Sequence, residues 1–457
     1  MLVQGGAGRS FLDKGRFRLD RGVRKREIWS WSLYDFANSA FATTILAVIF
    51  NKYFAQVVAF GKTGIEVLGF RLPGAAFFAF CVSVAMACVA ISAPFLGAIA
   101  DFSGRKKWLL GYFCYGGTLF TGLLYFIGAG DYWFGALFFI LAHIGFSGAN
   151  VFYNGLLPEI STDETIGRIS GLGWALGYLG GGILLGINLI MLRYPHYLGI
   201  QRGFFTVHHC FLSVGIWWGV FSLPLFLWVR ERAQPQSLPY GETYIRIGFG
   251  RVFRTFRKIG NYRELSKFLV AFLIYNDGIQ TIIIMASIFG AEELGMGTGE
   301  IIVYFLMVQG TAFVGSLTFG FLADWLGNKR TILLALIVWI LIVVWAYGLG
   351  LVWSPKGEYW ILGVLAGMVL GGSQSTSRSL QGLFTPQANS AEFFGFYAVA
   401  GKFASLFGPL IYGLILSLTG SLRKGILSLI FFFLTGMIIL CWVDEKKGRM
   451  EKLRSIP

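Results

Sequence analysis

Four ionisable side chains lie inside apolar runs long enough to cross a bilayer: Asp35, Asp277, Arg378 and Lys402. A charge in that setting is costly and turns to a wet interior or to an opposite charge. Two acids and two bases sum to zero, so mutual pairing would offset most of the desolvation. Two uses are open. Either the charges are ion pairs that fix helix register, or an aspartate exchanges a proton or meets a substrate ammonium while Arg378 or Lys402 meets a carboxylate. Polar side chains able to complete a site stand nearby: Asn38, Tyr153, Asn154, Tyr275, Asn276, Gln280, Gln374 and Ser377. Asn150, Tyr153 and Asn154 share one helix face by their i, i+3, i+4 spacing. For each polar residue alone, a hydrogen bond between helices is an equal use. His143 reads as a packing residue with satisfied nitrogens, a proton relay being the alternative.

The elements that must hold these residues are membrane helices. The chain has 457 residues, of which 56% are hydrophobic and 13% charged; an average soluble chain carries about 25% charge. Runs of about twenty apolar residues match the hydrocarbon thickness. Twelve spans are expected, at about 29–54, 74–100, 108–128, 133–157, 168–192, 208–229, 267–290, 300–323, 331–353, 359–384, 393–419 and 425–443. Residues 1–28 form a basic arm, 230–266 a basic linker and 444–457 a basic tail, so the six-helix halves are 29–229 and 267–443. In the linker, Ile245, Phe249, Phe253 and Phe256 recur at helical spacing among Arg246, Arg251, Arg254, Arg257 and Lys258, which predicts an amphipathic helix on the membrane surface.

The net charge of +15 does not point to nucleic acid. Most Lys and Arg fall in segments on one side of the expected spans, the bias that marks the cytosolic side and places both termini there. The 5 Cys and 4 His show no metal spacing, and no phosphate-binding loop or catalytic triad pattern is present. No cofactor, no metal and no enzyme activity are expected. A bacterial inner membrane is the expected location, and a monomer the expected form.

Two short turns organise the chain. Gly97-Ala-Ile-Ala-Asp101-Phe-Ser-Gly104-Arg105-Lys106-Lys107 lies between two apolar runs, and Gly320-Phe-Leu-Ala-Asp324-Trp-Leu-Gly327-Asn328-Lys329-Arg330 repeats it half the chain later. Gly97 and Gly320 permit close helix approach. Asp101 and Asp324 can pair with a base or cap a neighbouring helix. Gly104 and Gly327 permit a tight reversal, and Arg105, Lys106 and Lys107 keep the first turn cytosolic. Both aspartates are read as gates, not substrate ligands. Leu156-Leu157-Pro158-Glu159 likewise recurs as Phe384-Thr385-Pro386-Gln387. A series of glycines in span 5 (Gly173, Gly177, Gly181, Gly182, Gly186) is spaced for close helix contact or for gliding.

These turns resemble the signature loop of the major facilitator superfamily. Trp31-Ser-Leu-Tyr34-Asp35-Phe-Ala-Asn38, Tyr275-Asn276-Asp277-Gly278-Ile-Gln280, Gly371-Gly-Ser-Gln374-Ser-Thr-Ser-Arg378, Glu392-Phe-Phe-Gly395 and Gly408-Pro409 are similar to its vacuolar-effluxer-like branch, over about 28–443. That branch holds bacterial permeases and a fungal vacuolar amino-acid effluxer. The resemblance implies an all-α membrane protein of twelve helices in two six-helix halves, with spans 1, 7 and 10 lining a central cavity. It implies a secondary transporter working by alternating access, and it suggests efflux of amino acids or similar zwitterions, coupled to protons. An amphiphile, peptide or drug is the alternative cargo, and a non-transporting sensor or scaffold the alternative role. Span 5 lacks the Gly-Pro step of many drug–proton antiporters; the Gly-Pro step here is in span 11.

Overall fold

A computed structural model of the chain describes residues 22–454, apart from 62, 68, 200, 202, 233, 234, 237, 239, 241, 258–261, 405 and 406. Residues 1–21 of the basic arm, Lys258 and the last three residues of the tail lie outside the described residues. Among those described, eleven helices are long and apolar enough to cross a membrane. The twelfth is Pro355–Phe384, span 10. It is long enough to span, 30 residues or about 45 Å, but its polar run Ser373-Gln374-Ser375-Thr376-Ser377-Arg378-Ser379 lowers its hydropathy. That run is buried among neighbouring helices except for the half-buried Gln374. The fold is therefore twelve helices in two halves.

Span 1, Lys25–Val58, is α-helical to Ala40 and then loosens into π-helical turns over Phe41–Val48 and Phe54–Val58. A two-stranded hairpin, Ile65–Val67 against Phe70–Leu72, follows where only a loop was expected. Span 2, Gly74–Ser103, carries Pro94 within it and stops at Gly104, whose φ of 61° only glycine adopts cheaply. Span 9 ends at Tyr347, earlier than expected, because Gly348 and Gly350 start a turn. Span 11 is described in two helical pieces. It runs as Ser390–Phe403 and resumes as Phe407–Thr419, with Pro409 in the first turn of the second piece, where a missing N–H costs nothing. The linker carries a helix over Tyr244–Arg257, and the tail another over Glu445–Arg454.

The two halves repeat a clamp that ties the sixth and twelfth spans to their neighbours. Glu27, at the start of span 1, accepts from the Arg230 N–H after span 6; Glu264, at the start of span 7, accepts from the Asp444 N–H after span 12. Lys107 donates to the carbonyls of Phe226 and Val229, and Lys329 to those of Cys441 and Val443. Glu231 accepts from the Lys106 and Lys107 amides, and Glu445 from the Lys329 amide. Each clamp satisfies backbone groups that a helix end leaves open.

The glycines of span 5 pack chiefly inside the first half. A Cβ on Gly180 would fall on the backbone of Phe36, and one on Gly177 or Gly181 would meet Ser39 or Thr43, all in span 1; Gly186 has no neighbour within 4 Å. Gly180→Leu is expected to cost about 1–3 kcal/mol by overpacking, read as a lower unfolding midpoint in detergent. Gly186→Leu should leave the midpoint unchanged, and equal effects at both positions would contradict this packing.

Candidate functional site

The four charges within the spans do not form two pairs. Arg378 and Asp35 meet at 2.8 Å across the two halves, and Asp35 is 7% and Arg378 2% exposed. The guanidinium is held on every side. Its Nε donates to Ser170 Oγ at 3.0 Å, Nη2 to the Ser170 carbonyl at 2.7 Å and Nη1 also to Asn154 Oδ1 at 3.4 Å. Three rings face it: Trp31 at 5.0 Å, Trp174 at 5.2 Å and Tyr153 at 5.7 Å. Trp31 stacks on Tyr153 with centroids 4.5 Å apart and donates its Nε1–H to the Tyr153 carbonyl at 3.0 Å. Only a glycine fits beside them, for a Cβ on Gly173 would lie 2.7 Å from both the Arg378 Nη2 and the Asp35 carboxylate.

Asp277 serves a different end. Its carboxylate accepts from the Phe407 N–H at 3.0 Å and the Gly408 N–H at 2.9 Å. It therefore caps the second piece of span 11, whose first amides the helix break leaves open. Lys402, one residue before the first piece ends, is half-buried and makes neither a hydrogen bond nor an ion pair among the described residues. His143 is buried as expected, but the expected satisfaction is absent. Neither ring nitrogen has a partner among the described residues, because Phe41, Phe139 and Phe146 surround the ring.

The polar candidates divide. Asn38 donates to Asn150 at 2.8 Å, and Tyr178 donates to Gln374 at 2.6 Å across the halves. Tyr275 shares a hydrogen bond of 2.6 Å with Ser377. Asn276 is buried and Gln280 half-buried in span 7. Ser170, Trp174 and Tyr178 were missed by the sequence reading. No spacing in span 5 ties them to Arg378, and only the closeness of spans 5 and 10 makes them neighbours.

The two signature turns close one face of the molecule. Asp101 accepts from the Ala391 N–H at 3.1 Å and the Glu392 N–H at 2.8 Å, the second and third amides of span 11. Asp324 accepts from the Gly167 N–H at 2.8 Å and the Arg168 N–H at 3.1 Å, the same two positions of span 5. The Arg168 Nε adds a bond of 2.8 Å to Asp324. Each half thus caps a helix of the other. Gly97 touches the backbone of Ala391, and Gly320 that of Gly167.

Lys106 is the exception to the expected row of solvated bases. Arg105 is exposed, but Lys106 is fully buried, with its Nζ 3.0 Å from Asp101, 2.7 Å from Glu159 and 2.6 Å from Ser390 Oγ. Two buried carboxylates need a cation, and Lys106 is within reach. Glu159 belongs to the repeated Pro-Glu/Pro-Gln segment, whose copies meet where Gln387 donates to the Pro158 carbonyl at 2.8 Å. In the second turn Asn328, the first residue of span 9, occupies the place of Lys106 and bonds Ser379. Lys329 matches Lys107 in position, and Gly327 carries a φ of 95°.

A family profile described as "Vacuole effluxer Atg22 like" matches residues 23–453. The uncharacterized MFS-type transporter YxiO of Bacillus subtilis is 31% identical over 91% of this chain and 94% of its own. Autophagy-related protein 22 of Yarrowia lipolytica is 26% identical over 85% of this chain and 78% of its own. Among solved structures, the proton:xylose symporter XylE superposes with a TM-score of 0.67 at 13% identity, covering 94% of this chain and 98% of that one. The human organic anion transporter MFSD10 gives the same TM-score and identity over 91% and 99%. At that identity the superpositions speak for the fold alone.

Removing one partner of the Asp35–Arg378 pair leaves the other charge buried and unmatched. Arg378→Met is expected to cost about 3–5 kcal/mol, seen as a lower midpoint of thermal unfolding. The double variant with Asp35→Asn should lose less than the two single losses summed. Strict additivity would mean that the two side chains do not act as a pair.

Proposed function

As the chain belongs to the Atg22-like vacuole-effluxer family of the major facilitator superfamily, we propose that it exports an amino acid or a similar zwitterion by alternating access. The family makes it a multi-pass membrane transporter of a small molecule and not an enzyme. The finer reading rests on Lys402. Asp35, Arg378 and Asp277 all have partners within the protein, whereas the Lys402 ammonium has none among the described residues. A solute carboxylate is the group that would complete it, as a charge-assisted hydrogen bond between the halves. Substrate sites in such folds lie near mid-membrane at broken helices, and Lys402 is the next-to-last residue of the first piece of span 11.

Proton coupling is assigned to Asp277. Protonation would weaken its grip on the Phe407 and Gly408 amides, and with it the seating of the second piece of span 11 on span 7. The basic turn face is read as cytosolic, the membrane as bacterial and the working unit as a monomer. A second reading, an aromatic or amphiphilic solute, is favoured by Trp31, Tyr153 and Trp174. Those rings are turned on Arg378, so the zwitterion comes first.

Flux of labelled amino acids into proteoliposomes under an imposed pH gradient tests the reading. Lys402→Met is expected to lower flux about ten- to a hundredfold, the worth of one bond to a charged group. Amines lacking the carboxylate should not move. Asp277→Asn keeps one carbonyl acceptor for two amides and should uncouple flux from the gradient. Folded wild-type protein that moves no amino acid would sink the zwitterion reading and turn the search to amphiphiles.

A further inference from the structure

The linker helix Tyr244–Arg257 has two different faces. One is taken up by the last turns of span 2. Phe249 lies against Phe95 with ring centroids 4.3 Å apart, Tyr244 lies edge-on to Phe102 at 6.1 Å, and the Arg251 guanidinium sits 5.6 Å from the Phe102 ring. Val252 is 1% exposed, and Gly248 lets the helix approach Ile99. Just upstream, the Gln236 N–H donates to the Phe102 carbonyl at 2.9 Å. All these contacts fall within about two turns of Asp101, and span 2 is held on its other side by span 11 through Gly97 and Gly395.

The other face is open. Arg246, Gly250, Phe253 and Arg257 follow one another at helical spacing and are exposed, with Phe253 62% and Phe249 46% accessible. Arg246 has a carboxylate, Glu242, at 3.6 Å, but its side chain remains 76% exposed. Exposed rings flanked by guanidinium groups, on a helix lying beside a membrane span, suit the boundary between acyl chains and headgroups. Guanidinium binds phosphate oxygens in a bidentate fork, and basic residues near a surface draw acidic lipids.

We propose that acidic phospholipid headgroups dock on this open face and hold the signature-turn face closed. For that face to open, span 2 must leave span 11, breaking the Asp101 cap. The linker helix is packed on span 2 and travels with it. Lipids that anchor Arg246 and Arg257 therefore oppose the movement. This inference does not depend on which solute is carried.

Hydrogen exchange in lipid nanodiscs tests it without a substrate. Discs of neutral phosphatidylcholine are compared with discs holding about 30% phosphatidylglycerol, where each basic residue gains from the surface charge. Acidic discs should slow exchange across Tyr244–Arg257 and at the Ala391 and Glu392 amides by about tenfold. The Arg246→Gln/Arg257→Gln double variant should match wild type in neutral discs and lose the response to acidic lipid. The Arg246→Lys/Arg257→Lys variant should keep at least part of it. Glycerol phosphate added to neutral discs should not reproduce the effect; if it does, the ligand is a free phosphate and the lipid proposal fails. Equal exchange of wild type in the two discs also overturns it, as does a lipid response that survives in the glutamine variant. Slowing confined to the linker helix, with Ala391 and Glu392 unchanged, overturns the coupling to the gate.

Discussion

A helix that begins inside a membrane protein has amide N–H groups that no water satisfies, and each costs free energy unless an acceptor is supplied. Three aspartates supply it here. Asp101 caps the first piece of span 11, Asp324 caps span 5 and Asp277 caps the second piece of span 11. Two of these caps run between the halves and one within a half. The arrangement of spans 2, 5, 8 and 11 follows from them. A helix N-terminus attracts negative charge, and the carboxylate that answers it fixes where the neighbouring helix must end. Gly97 and Gly320 follow as a consequence, because a carboxylate can reach those amides only if the two backbones nearly touch.

The Asp35–Arg378 pair obeys a related rule. A buried ion pair is a weak source of stability, since desolvation offsets most of its attraction, but an unmatched member is severely destabilising. The surroundings give each of its three nitrogens an acceptor: Ser170 twice, Asn154 and Asp35, with aromatic rings beside it. Ser170 in turn donates to the Ser375 carbonyl, so spans 5 and 10 are tied through the same group. The contrast with Lys402 is physical. The fold gives each nitrogen of one cation an acceptor, and gives the other none among the described residues.

Much of the architecture was legible in the sequence because hydrophobic length and the repeated turn are local properties. Twelve spans, the halves and the turn residues could be read directly, and so could the presence of charges within spans. The partners of those charges could not. Lys106 looks like one more solvated base in a basic turn, and only the packing of spans 3, 4 and 11 brings Glu159 and Ser390 to it. Asp277 and Lys402 looked like an available acid and base. The break in span 11, which gives the aspartate its amides, was hinted at only by Gly408-Pro409. The clamps of Glu27 and Glu264 were invisible, because each joins segments at opposite ends of a half.

The second turn copies the first in outline but not in charge. Where the first half buries Lys106 between two carboxylates, the second buries the neutral Asn328 against Ser379. A duplicated chain would close by two equal latches if the copies had stayed alike. With a buried three-charge knot on one flank and the more exposed Asp324–Arg168 pair on the other, the pseudo-twofold axis is no longer an axis of equal strength. Separation of the halves would then start at spans 5 and 8, and the tie between spans 2 and 11 would be the last to release.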